Sequence, residues 1–113
     1  MHPLRSLLFA PGNHPRKVEK VFQVGADVVI LDLEDAVAIA EKPATRAIIV
    51  DALKKKHRGL GYVRINSLDT EFAWGDFAEV VGAWVDGIVL PKVETTDQLQ
   101  TADWVLAQLE REN

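Results

Sequence analysis

The sequence predicts an α/β protein made of four βα units, the N-terminal half of a (β/α)8 TIM barrel. Four short apolar segments alternate with four segments of helical periodicity along the chain. Strands that alternate with helices pair in parallel through right-handed crossovers. The 113 residues give about 28 residues per unit, close to the ~30 expected if ~250 residues make eight units. Polar groups follow every strand, as they do at the catalytic edge of such barrels.

The first unit is a strand at Leu4–Ala10 followed by a short helix. Pro11-Gly12-Asn13 ends the strand, and Asn13 is expected to cap the helix through its side-chain oxygen. Pro15 is tolerated in the first helical turn, and Gly25 is a suitable stop. One face of the helix is apolar and carries Val18, Val21 and Phe22.

The second unit begins with a buried strand at Ala26–Leu31, because its apolar run is rich in β-branched residues. An acidic loop, Asp32–Glu41, follows. The second helix is expected to begin at Pro43 and to end in Lys54-Lys55-Lys56, since basic residues suit a helix C-terminus. Its inner face is predicted to carry Ala44, Ala47 and Ile48.

The third unit is a strand at Tyr62–Ile65 and a helix at roughly Thr70–Val81. The fourth is a strand at Gly87–Leu90 and a helix that opens with a capping box, Thr95 with Gln98. This last helix has the clearest amphipathic stripe of the chain, formed by Leu99, Ala102, Val105, Leu106 and Leu109.

Composition excludes several classes of function. The net charge of −4 argues against a nucleic-acid-binding or anionic-membrane surface. The absence of cysteine excludes disulfides, thiolate metal sites and a cysteine nucleophile, and suits a cytoplasmic protein. The apolar N-terminal patch is too short for a membrane span and lacks a signal-peptide cleavage site.

Four units make only half of a barrel, with two open strand edges and an inner face that nothing covers. We therefore expect residues 1–113 to be the N-terminal half of a single catalytic domain that continues in a longer protein. The alternative is a natural half-barrel that dimerises.

The acids after the second strand are the first candidate site. Asp32, Glu34 and Asp35 are too close in sequence to stay charged in a dry site without a cation, and Mg²⁺ prefers such oxygen ligands. Strand alternation sends Asp32 and Glu34 to one side and Asp35 to the other. The alternative is that an acid of this group caps the chain or pairs with a basic residue.

Arginine and lysine supply the second set of candidates. Arg64 ends a buried strand, and its guanidinium suits bidentate capture of a substrate carboxylate, although an ion pair with one of the acids is equally compatible. Arg16 and Lys20 are one helical turn apart near a helix start, which suits a phosphate but also a solvated surface. For Lys92 and Glu94 the sequence allows two arrangements. They can pair with each other, or each can pair with other charged groups at the ends of the strands.

Five motifs in order resemble the citrate lyase β-subunit-like branch of the HpcH/HpaI aldolase/citrate lyase family. The resemblance covers nearly the whole chain. The motifs are R-S-L-L-F-A-P-G-N (Arg5–Asn13), V-I-L-D-L-E-D-A-V (Val29–Val37), K-P-A-T-R (Lys42–Arg46), V-R-I-N-S (Val63–Ser67) and L-P-K-V-E (Leu90–Glu94).

The resemblance implies a TIM barrel that uses Mg²⁺ to make or break carbon–carbon bonds. The implied substrates are citryl-, malyl- or citramalyl-thioesters of coenzyme A or an acyl carrier protein, and the implied assembly is a homo-oligomer. The direct metal ligands, a Glu and an Asp, would come from the fifth and sixth strands, which lie outside this chain. The 113-residue chain alone is therefore expected to be inactive.

The resemblance also implies roles for single residues. Arg64 would be the catalytic arginine that holds the carboxylate or carbonyl of the substrate. Phe9, Arg16 and Lys20 fall where such enzymes contact coenzyme A, and Phe9 replaces a tyrosine of some relatives. Glu34 and Asp35 would stand beside the metal as indirect partners.

Three other interpretations compete with this one. The first is a 2-keto-acid (pyruvate-class) aldolase of the same superfamily, and the second is a non-catalytic half-barrel that serves as an assembly subunit. The third is a response-regulator receiver domain, which needs an acidic pair after the first strand, where this chain has Ala10-Pro11-Gly12-Asn13.

Overall fold

The computed structural model describes residues 6–93 and 95–112, so Glu94 and the first residues of the predicted strand Leu4–Ala10 lie outside the described part. Four parallel strands form one sheet in the sequential order β1-β2-β3-β4. The strands are β1 (Leu7–Pro11), β2 (Val28–Asp32), β3 (Leu60–Arg64) and β4 (Gly87–Val89), and the helices are α1 (Pro15–Gln23), α2 (Lys42–Lys54), α3 (Ala73–Val80) and α4 (Thr96–Glu112), with a 3₁₀ turn at Ile39–Glu41.

The predicted fold class, four parallel βα units, is confirmed. The sequential strand order also decides against the receiver domain, since a receiver is doubly wound with strand order 2-1-3-4-5. Each strand is followed, after a loop, by a helix that returns along the sheet, so the carboxyl ends of all four strands lie at one edge.

The core lies between the sheet and the helices. β2 is buried along its whole length because it is a central strand. Gly61 of β3 approaches Leu53 of α2, so alternation turns its neighbours Tyr62 and Arg64 to the opposite, inner face. The apolar side chains of this core with no exposed surface are Leu31, Leu33, Ile49, Val63, Ile65 and Val80.

The start of α1 differs from the prediction. His14, not Asn13, is the N-cap residue, and it makes no side-chain capping hydrogen bond. The Asn13 side-chain amide instead donates to Glu41 Oε2 at 2.7 Å, which ties the β1–α1 turn to the start of α2. Pro15 does occupy the first turn, and Gly25 follows the helix with φ of +87°, as expected for a glycine stop.

The inner face predicted for α2 is wrong. Ala44 and Ala47 are exposed and Ile48 is half-buried. The face of α2 that is buried differs from the predicted one and includes polar residues. It carries Lys42, Thr45, Arg46, Ile49 and Leu53. Apolar periodicity could not show this because two of the buried side chains are cations that are held by specific partners.

The prediction is less accurate for α3 than for the start of α4. α3 is shorter than predicted because Ser67–Thr70 forms a turn, in which the Thr70 amide donates to the Ser67 carbonyl at 3.0 Å. The capping box before α4 is confirmed, since the Thr95 amide donates to Gln98 Oε1 and the Gln98 amide donates to Thr95 Oγ, both at 3.3 Å.

The inner face of the sheet is open and apolar. Phe9, Ile30, Tyr62 and Gly87 are neighbours in register across the four strands. Leu7 and Phe9 of β1 are 60% and 52% exposed on it. No helix within the described ranges is both long and apolar enough to cross a membrane.

The burial pattern of α2 gives a first prediction. Ile49→Ala removes a side chain with no exposed surface and is expected to lower the free energy of unfolding by about 3 kcal/mol. Ile48→Ala makes the same chemical change one residue earlier, at a half-buried position, and is expected to cost about 1 kcal/mol. Urea unfolding followed by circular dichroism measures both. Equal losses, or a larger loss at Ile48, would contradict the orientation of α2.

Candidate functional site at the carboxyl edge of the sheet

Asp32 and Arg64 form the centre of the candidate site. They are Cα neighbours in the β2–β3 register, at the carboxyl end of both strands. Arg64 Nε donates to Asp32 Oδ1 at 2.8 Å, and Arg64 Nη2 donates to Oδ2 at 3.0 Å. Each carboxylate oxygen accepts a second bond from the backbone, from the amides of Glu34 at 2.9 Å and Ala36 at 2.8 Å. The ion pair that the sequence left open is therefore present.

The environment of this pair favours its charged form. Burial by itself would raise the pKa of Asp32, but the hydrogen bonds from Arg64 and from the Glu34 and Ala36 amides outweigh it and hold the pKa below its usual value. The hydrogen bond to Asp32, opposed by burial and supported by the nearby acids, raises the pKa of Arg64. Both groups are therefore ionised at neutral pH.

Glu34 stands between two cations, one at the end of β3 and one in the segment that follows β4. Its Oε2 lies 2.8 Å from Lys92 Nζ, and its Oε1 lies 3.7 Å from Arg64 Nε. The hydrogen bond to Glu34 and the charge of Asp35 raise the pKa of Lys92. Asp35 lies 3.7 Å from the same ammonium, and its side chain is 69% exposed, so the expected separation of Glu34 and Asp35 to opposite sides does not keep them from sharing Lys92. Lys92 thus bridges to the acidic loop, and the φ of +51° at this residue turns the backbone after β4.

The side chain of Arg64 also packs against an aromatic ring. Its guanidinium carbon lies 4.9 Å from the centroid of the Phe9 ring, on the inner face of the sheet. Nε and Nη2 are bound to Asp32, whereas Nη1 donates to no residue of the described part. The side chain keeps 25% of its surface exposed. Arg64 is thus held in place with N–H groups left for a ligand.

The structure brings together some of the predicted residues and not others. Phe9, Glu34 and Arg64 form one cluster. Arg16 and Lys20 lie on the exposed side of α1, and neither contacts that cluster. Their predicted contact with coenzyme A stays a prediction.

A cleft of about 360 Å³ opens beside this cluster, above the ends of β2, β3 and β4. It is lined mainly by polar and charged side chains from the three loops that follow these strands. They are Glu34, Asp35, Ile39, Lys42, Asn66, Ser67, Asp69, Thr70, Phe72, Lys92 and Gln98.

A buried polar network under this cleft was missed by the sequence analysis. Lys42 Nζ donates to Asn66 Oδ1 at 2.6 Å, and Asn66 Nδ2 donates to Asp76 Oδ2 at 2.7 Å. Asp76 also accepts from the Asn66 amide at 2.8 Å and from Arg46 Nε at 2.9 Å. Arg46 further donates to the Phe72 carbonyl at 3.1 Å.

One sequence signal could have found this network. Lys42 and Arg46 are four residues apart in a helix, so they share one face. Both belong to a motif already singled out, K-P-A-T-R, and Asn66 belongs to another, V-R-I-N-S. The sequence gives no comparable sign that Asp76 is their common partner, because it lies in an otherwise ordinary helix.

The described acids do not form a magnesium site by themselves. Asp32 is occupied by Arg64 and two backbone amides, and Glu34 is held by Lys92. Within residues 6–93 and 95–112, no three Asp, Glu or His side chains converge in a way that could hold a metal ion. The carboxylates that pointed to a metal in the sequence are thus neutralised here by cations of the protein.

The fold and this edge define the class of protein. Parallel βα units with sequential strands, and with acids and cations gathered at the carboxyl ends, are the arrangement of TIM-barrel enzymes. The chain belongs to the HpcH/HpaI aldolase/citrate lyase family, whose family model matches residues 5–113.

Two curated relatives agree with this assignment. The chain is 40% identical over 110 residues to the citrate lyase subunit beta of Leuconostoc mesenteroides subsp. cremoris, covering 96% of this chain and 36% of that protein. It is 39% identical over 114 residues to the L-malyl-CoA/beta-methylmalyl-CoA lyase of Cereibacter sphaeroides, with the same coverage of 96% and 36%. The chain thus spans about a third of the length of these relatives.

The fold also matches a solved structure of this family. The citrate lyase beta subunit of Mycobacterium tuberculosis, complexed with oxaloacetate and magnesium, superposes with a TM-score of 0.72 at 38% identity. The match covers 85% of this chain and 42% of that one. The four βα units therefore correspond to the N-terminal part of a citrate lyase beta-like TIM barrel.

The Asp32–Arg64 pair predicts a specific pH dependence. The folded-state pKa of Asp32 is lowered, so the stability that it contributes is present above its unfolded pKa of ~3.9. That stability is lost as the pH falls through the lower folded-state value. Asp32→Asn is expected to cost about 3 kcal/mol at pH 7, and the difference from the natural chain is expected to shrink steadily below about pH 4.

Urea unfolding at a series of pH values measures this difference. Asp35→Asn is the matched control in the same loop, and its exposed carboxylate is expected to contribute less than about 0.5 kcal/mol at any pH. A loss at Asp32→Asn that is the same at pH 3 and pH 7 would contradict the assignment.

The two acidic partners of Arg46 give a second comparison. Asp76 has no exposed surface and accepts three hydrogen bonds, so Asp76→Asn is expected to cost about 3–4 kcal/mol. Glu79 lies 3.4 Å from Arg46 Nη1 and is 51% exposed, so Glu79→Gln is expected to cost less than about 0.5 kcal/mol. Thermal and urea unfolding test both. Similar losses of unfolding free energy in the two variants would show that the buried network contributes no more to stability than the exposed ion pair does.

Proposed function

We propose that the protein is a Mg²⁺-dependent carbon–carbon lyase that cleaves or forms a 3-hydroxyacyl thioester. The proposed substrates are citryl-, malyl- or citramalyl-thioesters of coenzyme A or of an acyl carrier protein. The activities of its relatives support this class, because one is a citrate lyase subunit and another is an L-malyl-CoA/beta-methylmalyl-CoA lyase.

The single observation that carries the proposal is how the Arg64 guanidinium is held by its neighbours. Asp32 binds two of its nitrogens, the Phe9 ring lies 4.9 Å from its guanidinium carbon, and Nη1 donates to no residue of the described part. A guanidinium held in this way can bind an oxo-acid carboxylate or carbonyl without first losing side-chain freedom. We propose this contact as the catalytic role of Arg64.

The proposed chemistry is a retro-Claisen or retro-aldol cleavage. The 3-hydroxyl group gives up its proton as its carbon–oxygen bond becomes the carbonyl of the departing oxo-acid. The carbon–carbon bond breaks, its electron pair passes to the thioester fragment, and the enolate that forms takes up a proton to give the acyl thioester. Arg64 would polarise the oxygens of the departing oxo-acid and so help to stabilise the enolate that develops on the thioester fragment. In the opposite direction the same contact would orient the oxo-acid for condensation.

The binding of coenzyme A is a separate part of the proposal. Arg16 and Lys20 are exposed cations on α1 and are free to meet phosphate groups. Phe9 already contacts Arg64, so any contact that it makes with coenzyme A would be shared with its support of the guanidinium.

Magnesium and the rest of the barrel complete the proposal. We infer that residues 1–113 form the N-terminal half of one catalytic domain, and that the protein acts as a homo-oligomer. The metal would take its direct ligands from the fifth and sixth strands of that domain, with Glu34 and Asp35 as indirect partners. The 113-residue chain alone is therefore expected to be inactive.

A chimeric protein tests this proposal. Residues 5–113 replace the matching segment of the Mycobacterium tuberculosis citrate lyase beta subunit, which supplies the remainder of the barrel. With Mg²⁺ and citryl-CoA or malyl-CoA, the chimera is expected to release the oxo-acid, whereas the 113-residue chain alone is expected to show no turnover. An inactive but folded chimera, or cleavage of a 4-hydroxy-2-oxo-acid in place of the thioesters, would overturn the proposal.

Arg64 is tested in the same chimera. Arg64→Lys keeps the charge but loses the fork that binds Asp32 and the substrate together, so kcat/KM is expected to fall by about 100-fold or more. Arg58→Lys is the matched control, since Arg58 is exposed in the loop at the opposite edge of the sheet and is expected to leave kcat/KM within about twofold. Loss of activity in both variants, or in neither, would contradict the role given to Arg64.

A further inference from the structure

Lys42 is a buried ammonium with neutral partners. The residue is 6% exposed at the start of α2. Nζ donates to the carbonyls of Leu33 at 2.9 Å and Glu34 at 2.7 Å, and to Asn66 Oδ1 at 2.6 Å. The Phe72 ring lies 5.8 Å away. No described carboxylate lies within ion-pairing distance of this ammonium, and all three of its hydrogen bonds go to neutral oxygens.

Such an arrangement permits only one position of the loop. All three hydrogen atoms of the ammonium are used by the three acceptors, and removal of any one acceptor would leave a buried charge without its full set of hydrogen bonds. Asn66 cannot turn away, because Asp76 holds its side-chain amide at 2.7 Å and its backbone amide at 2.8 Å. Lys42 therefore connects the acidic loop to the start of α2 and to the end of β3, and fixes the loop relative to both.

The loop is fixed from two sides. Asp32 accepts from the amides of Glu34 and Ala36, and Lys42 donates to the carbonyls of Leu33 and Glu34. Both polar groups of the Glu34 backbone are thus bound by buried side chains. The fixed backbone sets the starting point of the Glu34 side chain, whose carboxylate lies 2.8 Å from Lys92 Nζ and 3.7 Å from Arg64 Nε.

We propose that Lys42 is a positioning residue that sets where the Glu34 carboxylate stands between Arg64 and Lys92. It contacts neither cation itself, and it acts through the backbone of Leu33 and Glu34. In the lyase reaction, this placement would set where Glu34 and its partner Lys92 stand relative to Arg64, the cation proposed to bind the substrate. That last step rests on the proposed function, whereas the placement of Glu34 does not.

Hydrogen exchange of single backbone amides tests the placement in the 113-residue chain, with no need of turnover. In Lys42→Met the side chain keeps its length and loses its ammonium. The amides of Glu34 and Ala36 are expected to exchange at least tenfold faster than in the natural chain, while those of Leu31 and Val63 in the sheet change by the smaller factor that global stability dictates.

Leu53→Ala is the control for stability. Leu53 is 3% exposed at the far end of the same buried face of α2, so its loss weakens the core without touching the loop. If Lys42→Met and Leu53→Ala accelerate the Glu34 and Ala36 amides equally at matched global stability, Lys42 only stabilises the fold and the proposal is overturned.

The absence of cysteine from the chain allows a sharper test, which also serves if Lys42→Met does not fold. Lys42→Cys is alkylated in the unfolded state with 2-bromoethylamine, which restores an ammonium at nearly the length of lysine, and the chain is refolded. Alkylation with 3-bromopropylamine adds one methylene and keeps the charge. The first product is expected to exchange the two loop amides within twofold of the natural chain, and the second at least tenfold faster.

These products separate position from charge. Equal exchange in the two products would show that the charge of Lys42 is sufficient, and would overturn the proposal. The chimera supplies the catalytic arm, in which Lys42→Met is expected to lower kcat at least tenfold. An active chimera whose kcat is unchanged by Lys42→Met would overturn the link to substrate, and an inactive natural chimera would overturn the proposed function while the exchange result stands.

Discussion

The edge of this sheet depends on one carboxylate, that of Asp32. Each of its two oxygens accepts one bond from Arg64 and one from the backbone of the loop that follows. The charge of Asp32 is stable in a buried position because four donors surround it. In turn, Asp32 holds these donors in place. The guanidinium of Arg64, the acidic loop and the end of β3 are therefore all positioned by the same carboxylate. Glu34 and Lys92 are arranged around that carboxylate, on the inner side of the sheet.

A second layer of buried polar groups lies behind the first. Asp76 of α3 holds Arg46 of α2 and Asn66 after β3, and Asn66 in turn accepts from Lys42. Helices and strands of successive units are thus joined by hydrogen bonds at the same end of the sheet that carries the site. Buried networks of this kind hold one geometry because each unsatisfied member is costly. The apolar core fixes how the layers pack, and this network fixes how the loops meet.

Much of the fold could be predicted because it follows from local patterns. The four strands were placed within a few residues, since buried apolar runs with β-branched residues differ clearly from helical periodicity. The capping box at Thr95 was recognised because it depends on two side chains three residues apart. The partner of Arg64 was named only as one of several acids, since the register between β2 and β3 decides the choice.

The errors have the opposite origin. Asn13 has the side chain of a helix cap, but Glu41, far along the chain, binds it first. The buried face of α2 was misjudged because Lys42 and Arg46 count as surface residues until their partners are known. Whether a cation is buried depends on contacts between distant segments, and no local pattern contains that information.

The register of the strands has a consequence for how this protein can change over evolution. Arg64 faces the inner side, and the preceding Val63 has no exposed surface in the core. A single residue inserted within β3 would exchange the two positions, so that a guanidinium would enter the core and a valine would face Asp32. An insertion of two residues would preserve the faces. Length variation in these four βα units is therefore confined to the loops or restricted to even steps within the strands, and the chemistry and the packing are inherited together.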